Sequence, residues 1–221
     1  FYDRGEKYDK QKRGISMLQN EEENDRYIEI WNNVLSQFNA TEGLSREEYP
    51  ELPHKNIDTG MGVERMACIL QETETNYETD LFMPIMHKIE EICNIPYNGQ
   101  MQFKVIADHI RTLTFALSDG AVFENVGRGY VLRRLLRRAS RMGRKLNINK
   151  EFLSPLVDVV VDNYKEVYPE LVGTMPKVKE LISKEELLFQ KTLLSGEKKL
   201  EELFKNKNKV FCFHNCIGTT T

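Results

Sequence analysis

Past Pro96 and Gly99 the sequence carries apolar residues at helical spacing almost without interruption to residue 205. That continuity leaves little room for anything but helices in the second half. Residues 103–117 read as one helix, broken at Asp119 and Gly120. Residues 129–146 read as a second, ended by the run from Asn147 to Asn149, and 151–167 as a third, stopped at Pro169. Residues 176–205 read as a long charged helix with Glu/Lys pairs four apart, facing solvent or coiled against a partner.

The first half reads differently. Residues 27–38 alternate apolar and polar at their start, a strand signal. Residues 5–25 and 39–55 read as surface loops. Residues 56–71 read as a glycine turn entering a helix, and 77–93 as an amphipathic helix with Leu81, Ile85, Ile89 and Ile92 on one stripe. The expected fold class is α+β, split near residue 97: 1–97, 98–206, and an atypical tail at 207–221.

Charge divides at the same place. Residues 1–100 carry a net of −10 and residues 101–221 a net of +7, inside a total of −3. The basic half is the candidate for an anionic polymer. With 40% hydrophobic and 29% charged residues the chain reads as globular, and no apolar run approaches about 20 residues. Four cysteines and no secretory signal point to a reducing cytoplasm and no membrane partner. Cys68 and Cys93 read as buried thiols. The set Cys212, His214 and Cys216 is too cramped for a four-ligand zinc site, so no metal is expected.

Two segments carry chemistry. In IDTGMGVER, residues 57–65, Gly60 and Gly62 allow close approach of a ligand to the backbone. The helix that follows offers unpaired N–H groups, and Arg65 in its first turn presents a fork of donors suited to phosphate. Asp58 can accept bonds from an ammonium. The plainer alternative is an ordinary helix entry with a surface arginine. Residues 127–145 hold eight basic residues and no acid. Val131, Leu132, Leu135, Leu136, Ala139 and Met142 are expected to face the core, with Arg133, Arg134, Arg137, Arg138 and Arg141 opposite. The plainer alternative here is a solvated basic face. His109 reads as structural, bonded to Asp108 or Arg111, and Trp31 as a core or pocket-wall residue.

The Gly-x-Gly-x-x-Arg pattern resembles motif 3 of class II aminoacyl-tRNA synthetases. The longer text LPHKNIDTGMGVER is similar to the alanyl-tRNA synthetases in particular. So are NDRYIEIWNNVLSQFN upstream, ADHIRTLTFALSDGAVFENVGRGYVLRRLLRRASR downstream and YDRG at 2–5. The resemblance covers about residues 1–205 and implies the end of an antiparallel class II sheet with its helices, then an all-helical region gripping the tRNA(Ala) acceptor stem.

It implies an alanine–tRNA ligase using ATP with Mg²⁺. By position, Arg65 contacts the ATP γ-phosphate as the catalytic arginine, with Gly62 beside it. Asp58 holds the alanine ammonium, Gly60 leaves room, and Val34 lines the methyl pocket. Asn125 reads a G·U pair from the minor groove, with Arg128, Arg133, Arg134, Arg137, Arg138 and Arg141 toward the tRNA backbone. The resemblance does not fix oligomeric state. Motifs 1 and 2 and the family's tryptophan lie outside residues 1–221, which implies that the fragment alone is inactive. The tail NKNKVFCFHNCIGTTT departs from the family's text. The alternatives are a non-catalytic tRNA-binding module and an unrelated helical nucleic-acid binder.

Overall fold

The computed structural model describes residues 1–20, 22 and 24–205; the expectation for the 207–221 tail lies outside the described residues. In chain order the elements are β1 (Tyr2–Asp3), α1 (Ser16–Gln19), β2 (Tyr27–Ile28), β3 (Trp31–Phe38), β4 (Glu51–Met61), α2 (Val63–Leu70), α3 (Met83–Cys93), α4 (Met101–Ser118), α5 (Gly127–Lys145), α6 (Leu153–Tyr164) and α7 (Glu170–Lys205). They group into two units, Phe1–Met83 and a second from Pro84 on. The division differs from the one expected near residue 97 by helix α3, whose Ile85, Met86 and Ile89 are fully buried.

The first unit holds two small antiparallel sheets, β1–β2 and β3–β4. The β1–β2 pair is only two residues long and needs side-chain help. Arg26 supplies it, closing a two-pronged fork on Asp3 (2.8 Å twice) and reaching Asp9 at 3.3 Å. The Arg26 bonds hold the Asp3 carboxyl down at about 2, with the Gly5 amide adding to the effect.

The expected strand over 27–38 is interrupted at Glu29 and Ile30, giving β2 and β3. The expected loop over 39–55 ends sooner, because β4 starts at Glu51. The glycine turn expected at 56–62 is extended strand: Gly60 sits inside β4 with no positive φ, and Gly62 caps α2 at φ −79°. Propensity misleads here because cross-strand pairing with β3 overrides the local freedom of glycine.

The second unit is a helical bundle in which α4, α5, α6 and α7 pack on one another. Phe103, Ile106, Ile110, Leu113 and Leu117 form the buried stripe of α4 at three- and four-residue spacing. Leu153, Leu156, Val157 and Val160 of α6 and Leu171, Val178 and Ile182 of α7 complete the core. Gly143 of α5 admits the Phe152 ring: a Cβ there would lie 2.2 Å from a ring carbon.

Helix α7 corrects two expectations. It starts at Glu170 and carries Pro176 inside its second turn. It is also not solvent-facing along its first half, where Glu185 and Glu186 are buried beside the apolar residues. On α5 the core stripe runs through Gly129, Leu132, Leu136, Ala139 and Gly143 instead of Val131, which is 54% exposed. No helix among the described residues is long and apolar enough to cross a membrane.

Candidate functional site

In the first unit the β3–β4 register decides which side chains stand together. Val34 pairs with Asp58, Asn32 with Gly60, Asn33 with Thr59 and Trp31 with Met61. Directly paired residues share a sheet face, and faces alternate along each strand. Val34, Asp58 and Gly60 therefore occupy one face, together with Asn32. Trp31, Asn33, Thr59 and Met61 occupy the other, where the Trp31 indole N–H donates to Thr59 Oγ1 at 2.6 Å. Trp31 is half-exposed, so of the two readings, core or pocket wall, the core one does not hold.

The Asp58 face is open. Val34 is half-exposed and Asp58 exposed, and a Cβ built on Gly60 meets no atom within 4 Å. A carboxylate, an isopropyl wall and a bare stretch of backbone suit a small ligand with an ammonium and a short apolar side chain. Asn32 was not singled out from the sequence. Only the pairing with Gly60 brings it to this patch, and strand register is not visible in a single strand's pattern.

Arg65 stands in the first turn of α2. Its Nη1 donates to the Glu29 carbonyl at 2.7 Å, and the Glu29 carboxylate lies 3.9 Å away. Its alkyl stem passes over Gly62, where a Cβ would meet Arg65 Cδ at 3.3 Å. Arg65 lines a hollow of about 640 Å³ with Met17, Leu18, Tyr27, Ile28 and Glu29. Asp58 does not line that hollow. The structure thus gathers Val34, Asp58 and Gly60, and sets Arg65 and Gly62 at the start of the next helix against β2.

In the second unit the basic helix α5 divides into two rows. Arg133, Arg137 and Arg144 meet carboxylates of α7: Arg133 Nη2 donates to Glu185 Oε2 at 2.9 Å, Arg137 Nη2 to Glu185 Oε1 at 3.4 Å, and Arg144 Nη2 lies 2.9 Å from Glu197. Arg128, Arg134, Arg138 and Arg141 are exposed and have no carboxylate at ion-pair distance among the described residues. Arg134, Arg138 and Arg141 rim a groove of about 670 Å³ floored by Val131, Leu135, Phe189 and Leu193. Arg137 crosses it, 5.5 Å above the Phe189 ring.

Asn125 is exposed in the loop before α5, and its Oδ1 accepts a hydrogen bond from Arg133 Nη1. Two glycines place that loop. Gly127 turns the chain at φ +58°, and Gly129 lets the Val122 carbonyl come within 2.5 Å of where a Cβ would stand. His109 bonds Asp108 through Nδ1 at 3.0 Å inside the bundle, as its sequence context suggested. That bond, followed by the charges of Arg111 and Arg138, lowers the Asp108 pKa. No metal-ligand cluster occurs among the described residues.

The family model for tRNA synthetases class II (A) matches residues 1–217. The chain belongs to that family. It is 53% identical over 209 residues to an alanine–tRNA ligase of Lactococcus lactis subsp. cremoris (strain SK11), covering 93% of this chain and 24% of that protein. Against the alanine–tRNA ligase of Acholeplasma laidlawii (strain PG-8A) it is 53% identical over 206 residues, covering the same shares. Against that of Streptococcus sanguinis (strain SK36) it is 53% identical over 200 residues, covering 89% of this chain and 23% of that protein. The chain spans about a quarter of the length of these relatives. Membership in the class II tRNA synthetases makes ATP with Mg²⁺ and tRNA the general ligands of the family.

Proposed function

We propose that this chain is part of an alanine–tRNA ligase, supplying an alanine-holding strand pair and a helical surface for the tRNA acceptor stem. The carrying observation is the direct pairing of Val34 with Asp58, two positions from the open space over Gly60. Asp58 holds the alanine ammonium and Val34 meets its methyl group. Gly60 leaves the room between them. A valine wall separates alanine from a side chain one methylene larger by only about 1–3 kcal/mol. Arg65 keeps its Nε and Nη2 beyond the Glu29 contact, and these are the donors offered to the ATP γ-phosphate, whose charge Mg²⁺ shares. In the helical unit the free arginine row binds tRNA phosphates, and Asn125 reads a G·U pair of the acceptor stem from the minor groove.

Alanine binding followed by calorimetry tests the first part. Asp58→Asn keeps the shape but removes the charge partner, and alanine affinity should fall at least tenfold. Equal affinity in the two proteins refutes the ammonium site. ATP–pyrophosphate exchange should be absent with the 221-residue chain, because the arginine that the family resemblance assigns to the α-phosphate belongs to motif 2, which residues 1–221 do not include. A second reading is a tRNA-binding module without activation chemistry. The separation of Arg65 from the Asp58 patch favours it. Retained RNA binding with no alanine binding would decide for that reading.

A further inference from the structure

The geometry points to Glu185 as a positioning residue for RNA recognition: through Arg133 it fixes the Asn125 amide so that the amide NH₂ faces outward as the reading group. The inference rests on the reading of Asn125 given above and deepens it.

Asn125 is an exposed loop residue, and an exposed asparagine amide turns over freely between its two flips. One flip offers a carbonyl acceptor and the other an NH₂ donor, and they read donors and acceptors respectively on the base edge they face. Here Arg133 Nη1 donates to Asn125 Oδ1. A guanidinium has donors only, so the amide oxygen must face it and the NH₂ must face away. The flip is therefore as fixed as Arg133 is.

Arg133 is fixed by Glu185. Its side chain is 16% exposed and that of Glu185 only 6%. Nη2 donates to Oε2 at 2.9 Å, and Nε lies 2.8 Å from Oε1, near enough for an ion pair but off the hydrogen-bond angle. Two contacts between planar groups lock the guanidinium in rotation as well as position. Arg137, which also borders the open groove, approaches the same carboxylate at 3.4 Å, so Glu185 answers two arginines of α5. Glu185 thus commits Arg133 and Arg137 to structure, while Glu197 pairs with Arg144, and Arg128, Arg134, Arg138 and Arg141 are left for the ligand. The ligand chemistry that fits an outward NH₂ is a hydrogen-bond acceptor on a base edge in the shallow RNA minor groove.

Binding of two short RNA hairpins tests this, one with a G·U pair in its stem and one with G–C in its place. Wild-type chain, Asn125→Ala, Glu185→Gln and Glu185→Asp are compared by fluorescence anisotropy at several salt concentrations. A single lost hydrogen bond corresponds to about five- to tenfold in affinity. Asn125→Ala and Glu185→Gln should each lose that much preference for the G·U hairpin. Glu185→Asp, which keeps the charge, should recover part of it.

Glu185→Gln also frees the Arg133 charge. Its affinity for the G–C hairpin should hold or rise, and the salt slope should steepen by up to about one. A merely structural lesion lowers binding to both hairpins and steepens nothing, and that outcome overturns the proposal. If Asn125→Ala loses the preference and Glu185→Gln keeps it, the relay through Arg133 is wrong while the reading of Asn125 stands. If the wild-type chain shows no preference, or Asn125→Ala keeps it, the reading of Asn125 fails and takes the relay with it.

Discussion

A methyl group added at Gly60 meets nothing within 4 Å, so this glycine is not demanded by packing. It is not demanded by backbone conformation either, since Gly60 lies in extended strand β4. Gly60→Ala should leave the thermal unfolding midpoint unchanged or slightly raised, because alanine restricts the unfolded chain more than glycine does. The same substitution should weaken alanine binding at least tenfold by filling the room beside Asp58. A variant of normal stability and normal alanine affinity would show that the patch is not where the ligand lies. Gly143 is the opposite case within one chain. There the missing Cβ is occupied by Phe152, and the residue serves the core. Composition treats the two glycines alike, and only their surroundings tell them apart.

Among the elements, α6 depends on an unusual start. The backbone N–H groups of Phe152 and Leu153 donate to the Glu186 carboxyl of α7 at 3.1–3.3 Å, in place of a side-chain cap from the helix itself. Burial outweighs these bonds and raises the Glu186 pKa from 4.5 to about 7, with the Glu151 charge adding to the rise. A carboxyl raised in the folded state contributes stability that is complete below about 4.5. That stability is lost as the pH climbs through about 7. Glu186→Gln keeps an oxygen acceptor and cannot ionise. The variant should be more stable than the wild type at pH 8, by at most about 3 kcal/mol, and the gap should close toward pH 5. Urea unfolding at the two pH values measures it. A gap that does not depend on pH would mean that Glu186 is not ionising inside the bundle.

For the whole molecule, affinity for RNA should track the divided arginines of α5. Replacing Arg128, Arg134, Arg138 and Arg141 together by alanine should flatten the dependence of log affinity on log salt by about three. Replacing Arg133 and Arg137 should flatten it less and disturb α5–α7 packing more, because Glu185 is then buried without its partners. Equal slopes for the two sets would mean that the inward and outward rows do not differ toward RNA.

The sequence by itself determined a great deal here. The helical period from residue 101 on, the charge division and the acid-free run at 127–145 all reach the structure, because each is a property of neighbours along the chain. The assignment of Val34, Asp58 and Gly60 to alanine came from the resemblance to the family, and their role stays a proposal. What the sequence could not contain was pairing between segments. It gave no sign that β4 begins at Glu51, that Asn32 stands opposite Gly60, or that a glutamate in a charged helix is buried against two arginines. Register and burial are settled by which surfaces meet in three dimensions, and charge patterns along one strand or helix look the same whichever neighbour they find. The tertiary structure alone separated the arginines that hold the bundle together from those that remain open to a ligand.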